Sequence, residues 1–211
     1  MKRTVFLLAA FMAVSQLVSA QTSIENIRKH YNDTKEWVDG MADPYVFPLD
    51  ASEEKPNVPN YYLVNIEENY PGTGMHHEKV YIYHVDVEGS SQEEIFPPQR
   101  IDFAKTNYNF AAREFYEEYL YDKKGHVEFI YARQCVDDTF EDTEFRFYFN
   151  AGKLIKVIIK TRANDGEEYK ETFNGIKVPE KYKRQYNSLT NKAGLIKKMF
   201  DAVNVYQHNN L

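Results

Sequence analysis

Between Tyr70 and Val87 the chain reads YPGTGMHHEKVYIYHVDV, the stretch that most resembles a functional site. Two glycines flank a threonine, His76 and His77 adjoin, and His84 follows inside an alternating run. Phosphate cradling would need a third glycine, a lysine and a following helix, and none of the three is present. Metal binding is a stronger candidate, because neutral imidazole is a common ligand. Adjacent strand residues point to opposite faces, however, so His76 and His77 cannot grip one ion while both are extended. If the strand begins only after them, either could join Glu78 or His84, and the remaining ligands of a tetrahedral site would have to come from elsewhere. A turn accounts for the rest: proline and glycine suit the central positions of a type II turn. The expectation is a turn at Pro71-Gly72, a strand from about Glu78 to Asp86, and two histidines that share no metal. His84 falls on the Val80–Ile82 face. If that face is inward, its ring should be hydrogen-bonded and neutral, since a buried, unpaired imidazolium is costly.

Other reactive groups are weaker. Glu117 and Glu118 could be imagined as glycosidase carboxylates, but strand neighbours face opposite ways and cannot flank one bond. DDTFEDTE at 137–144 gathers Asp137, Asp138, Glu141 and Asp142 without the alternating ligands and glycine of a calcium loop. Cys135, the one cysteine, has no histidine at a fixed offset and reads as a small apolar residue. KVPEKYKRQYN is basic and reads as a solvated surface. Along FYEEYLYD, Phe115, Glu117, Tyr119 and Tyr121 share one face, with Tyr116, Glu118 and Leu120 on the other. One face should meet the helices; the other could display an aromatic row of the kind sugars and peptides stack on. The candidate binding residues are therefore Tyr70, His76, His77, His84, Tyr119 and Tyr121, with no metal set and no cofactor motif.

Positioning these residues falls to a change of period along the chain. TSIE is a capping box, with Thr22 as N-cap and Glu25 reaching back. Ile24, Ile27, Tyr31, Val38 and Met41 then recur at helical spacing, with Trp37 at the stripe's edge and Gly40 and Pro44 as stops, so a helix is expected within 23–41. A connector with four prolines follows. From Tyr61 the period is two. IFPPQRIDF carries adjacent prolines, which should confine it to an edge or loop. Three alternating segments are joined by DKKG, NAGK and NDGE, where glycine beside Asn or Asp supplies positive φ. YLYDKKGHVEFI and FYFNAGKLIKVI resemble one another, a short repeat that fits a β-meander. Ser188 as N-cap and a stripe of Leu195, Ile196, Met199, Phe200 and Val203 predict a second helix within 188–204. The fold class is α+β: an antiparallel meander of about five to eight strands, packed by N-terminal and C-terminal helices.

The first twenty residues read as a signal peptide: Lys2 and Arg3, the apolar TVFLLAAFMAV, then VSA before a cleavage point after Ala20. The apolar run is short for a membrane span, and Gln21 rather than cysteine follows it. Residues 21–211 are then one α+β domain in the periplasm or outside the cell. Losing Lys2 and Arg3 takes the formal charge from −6 to −8, which argues against nucleic acid or an anionic membrane as partner. A lone cysteine forms no intrachain disulfide, so the fold rests on its core.

IRKHYNDTKEWV, NYPGTGMHH, YNFAAREFYEEYLYD and GKLIKVIIK together resemble a family of exported proteins of unknown function from gut Bacteroidetes. The resemblance implies an exported address and brings no catalytic residues. With plentiful aromatic alternation and no nucleophile–base set, the favoured function is a non-catalytic module binding a glycan, peptide or envelope partner. The rival is a metal-assisted hydrolase with its site near His76, His77 or His84.

Overall fold

The structure is a computed structural model describing residues 2–39, 60–89, 97–111, 113–136, 141–164 and 166–210. Helix α1 (Lys2–Asp39) precedes eight strands: β1 (Asn60–Tyr70), β2 (Gly74–Asp86), β3 (Gln99–Phe110), β4 (Arg113–Tyr121), β5 (Val127–Val136), β6 (Glu141–Asn150), β7 (Lys153–Arg162) and β8 (Lys170–Gly175). A single 3-10 turn, Glu180–Tyr182, leads into α2 (Lys183–Asn210). The strands form one antiparallel sheet whose spatial order is the order of the sequence. The α+β meander expected from the alternating segments is the fold.

Each helix takes its own face of the sheet. Under α2, Val80, Ile82, Tyr119, Ile130, Phe145, Phe147 and Ile159 pack against Leu189, Ala193, Ile196 and Phe200. Under α1, Phe103, Leu120, Phe129, Tyr148 and Ile158 pack against Ile27 and Val38, with Ile24, Tyr31 and Trp37 at the margin. A sheet covered on both sides needs strands apolar on both sides, and Val157, Ile158 and Ile159 show this as three consecutive buried residues. One face was expected to meet both helices and the other to stay open. Two separate apolar stripes, one at each end of the chain, instead cover both.

The hairpins form where the turn residues are. In the β6–β7 turn, Ala151 (φ +47°) and Gly152 (φ +75°) both adopt positive φ, as a two-residue type I′ connection requires. The sequence repeat has a structural counterpart: the register shifts just before the turn in both hairpins, at Leu120/Tyr121 and at Tyr148/Phe149. These bulges re-aim the residues entering the turn.

Four details differ from expectation. Helix α1 runs unbroken from Lys2, so Thr22 is an interior residue and not an N-cap. A capping box acts only where the preceding chain is not helical, and the Leu- and Ala-rich residues upstream are good helix formers. Helix α2 begins five residues before Ser188, because Lys183, Arg184 and Gln185 also favour helix. Its buried stripe is Leu189, Ala193, Ile196 and Phe200, while Leu195 is 55% exposed. Strand β3 is interior rather than an edge: Pro97 and Pro98 precede it, and pairing starts at Gln99, where every residue again has an N–H to donate. Met41, Gly40, Pro44 and the proline-rich connector lie outside the described residues.

Candidate functional site

The opening stretch folds as a hairpin. Thr73 N–H donates to the Tyr70 carbonyl at 3.0 Å, and Gly72 sits at φ +90°, the value a type II turn needs at its third position. The strand begins at Gly74, not Glu78, because β1 pairs along its whole length up to Tyr70↔Gly74. His76 and His77 therefore lie in the strand and on opposite faces. His76 Nδ1–H donates to the Asn109 carbonyl at 2.6 Å, and its Nε2 stands 3.7 Å from Glu78. His77 is exposed, 3.8 Å from Glu67. The Asn109 side chain accepts from the His77 amide at 2.7 Å and donates to the Met75 carbonyl at 3.0 Å, so it extends the β2–β3 ladder by mimicking backbone. Tyr70 is partly exposed beside His76 and Phe110.

His84 is buried between rings, with centroids 4.5 Å from Tyr62 and 5.9 Å from Phe200. Burial pulls its pKa down to about 4, so it is neutral at pH 7. Its Nδ1 has no hydrogen-bond partner among the described residues, contrary to the expected bond. The ring is seated among aromatic rings, and the Tyr62 hydroxyl is directed to Gln99 and Asn204 instead.

Tyr119 and Tyr121 belong to the core under α2. Tyr121 donates to the Ala193 carbonyl at 2.8 Å, and Tyr119 donates to Glu117 at 2.6 Å. Both rings are buried. Glu117 also accepts from Tyr108 at 2.7 Å and Gln134 at 2.8 Å, and pairs with Lys192 of α2 at 3.1 Å. Lys192 reaches Glu78 at 2.7 Å and lies 3.8 Å from the Tyr108 ring centroid. On the opposite face Glu118 accepts from Tyr31 and Tyr116 and pairs with Lys35 of α1 at 2.8 Å. Burial, then the Glu118 charge, pushes the Tyr31 and Tyr116 hydroxyls well above their ordinary range. Both carboxylates are buried and paired, and both fasten a helix to β4.

An open surface lies beside α1. A cleft of about 340 Å³ is lined by Arg28, Tyr31 and Asn32 from α1 and by Phe129, Tyr131, Arg146 and Tyr148 from the sheet. Three tyrosines on successive strands each carry a guanidinium over the ring: Arg133 over Tyr116 at 6.0 Å, Arg146 over Tyr131 at 5.8 Å and Arg28 over Tyr148 at 5.6 Å. Cross-strand register makes the first two pairs, Tyr116↔Arg133 and Tyr131↔Arg146. Glu144 accepts from Arg146 at 2.8 Å and from Tyr131 at 3.2 Å. Burial, with the Glu144 charge, pushes the Tyr131 hydroxyl up to about 12, so it remains a donor. Arg28 donates to Tyr148 Oη at 3.5 Å and has no carboxylate partner among the described residues. A second cleft of about 560 Å³ borders His30, Arg100, Lys124, His126 and Glu128. There the carboxylates of Asp102 and Glu128 hold the His30 imidazole up at about 9.

None of the arginine–tyrosine pairs was among the sequence candidates. Part of the signal was present: YAR and RFY place arginine two residues from tyrosine, hence on one face, and Arg28, Tyr31 and Asn32 share a helical face. What no local pattern supplies is the register that lines up three strands. Of the acidic cluster, Asp142 is in β6 and bound by Arg162 at 2.6 Å, so it is not a free calcium ligand; Asp137 and Asp138 lie outside the described residues. The tyrosines of the basic segment point inward: Tyr182 packs on Phe145 and Tyr186 on Phe147. Among the described residues no group of three or more His, Cys, Asp or Glu is placed to hold a metal ion. Nor is any described helix long and apolar enough to cross a membrane.

No protein-family model, curated protein or solved structure matches the chain.

Proposed function

We propose that the protein is an exported, non-catalytic binding module that takes a glycan, peptide or envelope partner in the cleft between α1 and the sheet. The observation that carries this reading is the lining of the cleft: two guanidiniums, an amide and four aromatic rings, drawn from a helix and two strands. Pockets of this kind combine apolar surface with a few convergent polar groups that fix orientation. Each histidine whose side chain is described meets a carboxylate, a backbone carbonyl or an aromatic ring rather than a hydroxyl or thiol. That supports binding over nucleophilic chemistry. The exported address rests on the leader-like first twenty residues and on the resemblance to exported Bacteroidetes proteins. N-terminal sequencing of protein recovered from its native cell tests the address, and Lys2 still attached would refute it. Glycan and peptide arrays test the binding. A hit abolished by Tyr131→Ala supports the cleft, and hits indifferent to that change refute it.

A further inference from the structure

Resting on that reading, we infer that the cleft's ligand is an acidic saccharide, with a sugar carboxylate held by Arg28. The protein is acidic overall, with a formal charge of −6, yet the side chains lining this cleft bring two guanidiniums and no carboxylate. Arg146 is already engaged by Glu144 at 2.8 Å. Arg28 is not: it is exposed, tethered only to the Tyr148 ring and hydroxyl, and free of any carboxylate among the described residues. Its planar fork matches a carboxylate in two parallel hydrogen bonds. The remaining polar groups suit a ligand rich in hydroxyls. Asn32 both donates and accepts; the phenol oxygens of Tyr31 and Tyr131, whose protons go to Glu118 and Glu144, can accept, and Tyr148, whose oxygen accepts from Arg28, has its own O–H to donate. The cleft lies over β5 and β6 in the middle of the sheet, where backbone N–H and C=O groups are consumed by the ladder. An extended peptide that adds a strand needs an edge, and this site offers none. Side-chain recognition of a ring bearing hydroxyls and a carboxylate fits the groups present.

Isothermal titration with a uronic-acid trisaccharide, its methyl ester and a neutral trisaccharide of equal length tests this. Binding of the free acid is expected, weakened about tenfold or more by esterification and by Arg28→Gln, as loss of a charge-assisted pair predicts. Arg28→Lys should restore part of it, since charge returns without the fork. Arg28 is exposed, and circular dichroism should confirm that Arg28→Gln folds like the parent. Equal affinity for acid and ester, or indifference to Arg28→Gln, overturns the inference. If Tyr131→Ala still abolishes that binding, the module reading survives alone. Binding of none of the saccharides, or of acidic peptides only, also overturns the inference, and the peptide result would leave the cleft as a peptide site.

Discussion

Glu117 and Glu118 are neighbours in sequence, each 1% exposed, and they serve opposite faces of the sheet. Glu117 meets Lys192 of α2, and Glu118 meets Lys35 of α1. Each carboxylate also accepts from two tyrosine hydroxyls, Tyr108 and Tyr119 on one side and Tyr31 and Tyr116 on the other. One dipeptide in β4 is thus a polar attachment point shared by both helices.

Glu117→Ala should therefore destabilise by about 3–5 kcal/mol, because it leaves the Tyr108 and Tyr119 hydroxyls and the Gln134 amide without their acceptor, even though Lys192 keeps Glu78 at 2.7 Å. Glu118→Ala should cost less, because it leaves only two donors, the part-buried Tyr31 and Tyr116 hydroxyls, and Lys35 keeps Asp39 at 3.0 Å. Urea titration of both variants measures the difference, and equal midpoints would contradict it.

Two histidines should give stability opposite pH slopes. Burial lowers His84 from 6.5 to about 4, so its contribution is complete above pH 6.5 and is lost as pH falls toward 4. The loss is roughly 2–3 kcal/mol by linkage. Asp102 and Glu128 raise His30 to about 9, so its contribution is complete below pH 6.5 and fades as pH rises through 9. With its side chain 36% exposed, screening leaves about 1 kcal/mol. His84→Phe should flatten the acid limb and His30→Gln the alkaline limb, read from denaturation midpoints between pH 4 and 9.

Ala151 holds φ +47° in the β6–β7 turn, a conformation that favours glycine. Ala151→Gly should raise stability by about 1 kcal/mol, while Gly152→Ala at φ +75° should lower it by a similar amount. Thermal melts of the two variants should move in opposite directions.

On α2, Ile196→Ala should cost about 2–5 kcal/mol, since the side chain is fully buried against the sheet. Leu195→Ala, one residue away and mostly exposed, should stay within about 0.5 kcal/mol of the parent. Comparable losses at both positions would mean that the helix is rotated.

The meander was legible because alternation and turn chemistry are local: YLYDKKGHVEFI contains its strands, its turn and its facing pattern within twelve residues. The turn at Pro71-Gly72 was legible for the same reason. Helix ends were not. Thr22 and Ser188 are good caps in isolation, but the residues before each also favour helix, and propagation overrode the caps. Which aromatic residues stay open was not legible, for a different reason. Periodicity separates Tyr116 from Tyr119 but does not say how each face will be covered. Tyr119 lies under α2, while Tyr116 joins Tyr131 across the strands at 6.2 Å. Arg133 and Arg146 become ring partners only when register is known, and that is a property of the whole sheet.

The strand order has a kinetic consequence. Every strand pairing in the sheet joins neighbours in sequence, so assembly can proceed by successive hairpin closures, each with a low entropy of loop closure. The helices are the exception, since Tyr31 must find Glu118 and Tyr121 must find Ala193 across long stretches of chain. We expect pulse-labelled amides of β4–β7 to be protected before α1 and α2 dock. The two faces would then be sealed last, by the two ends of the chain.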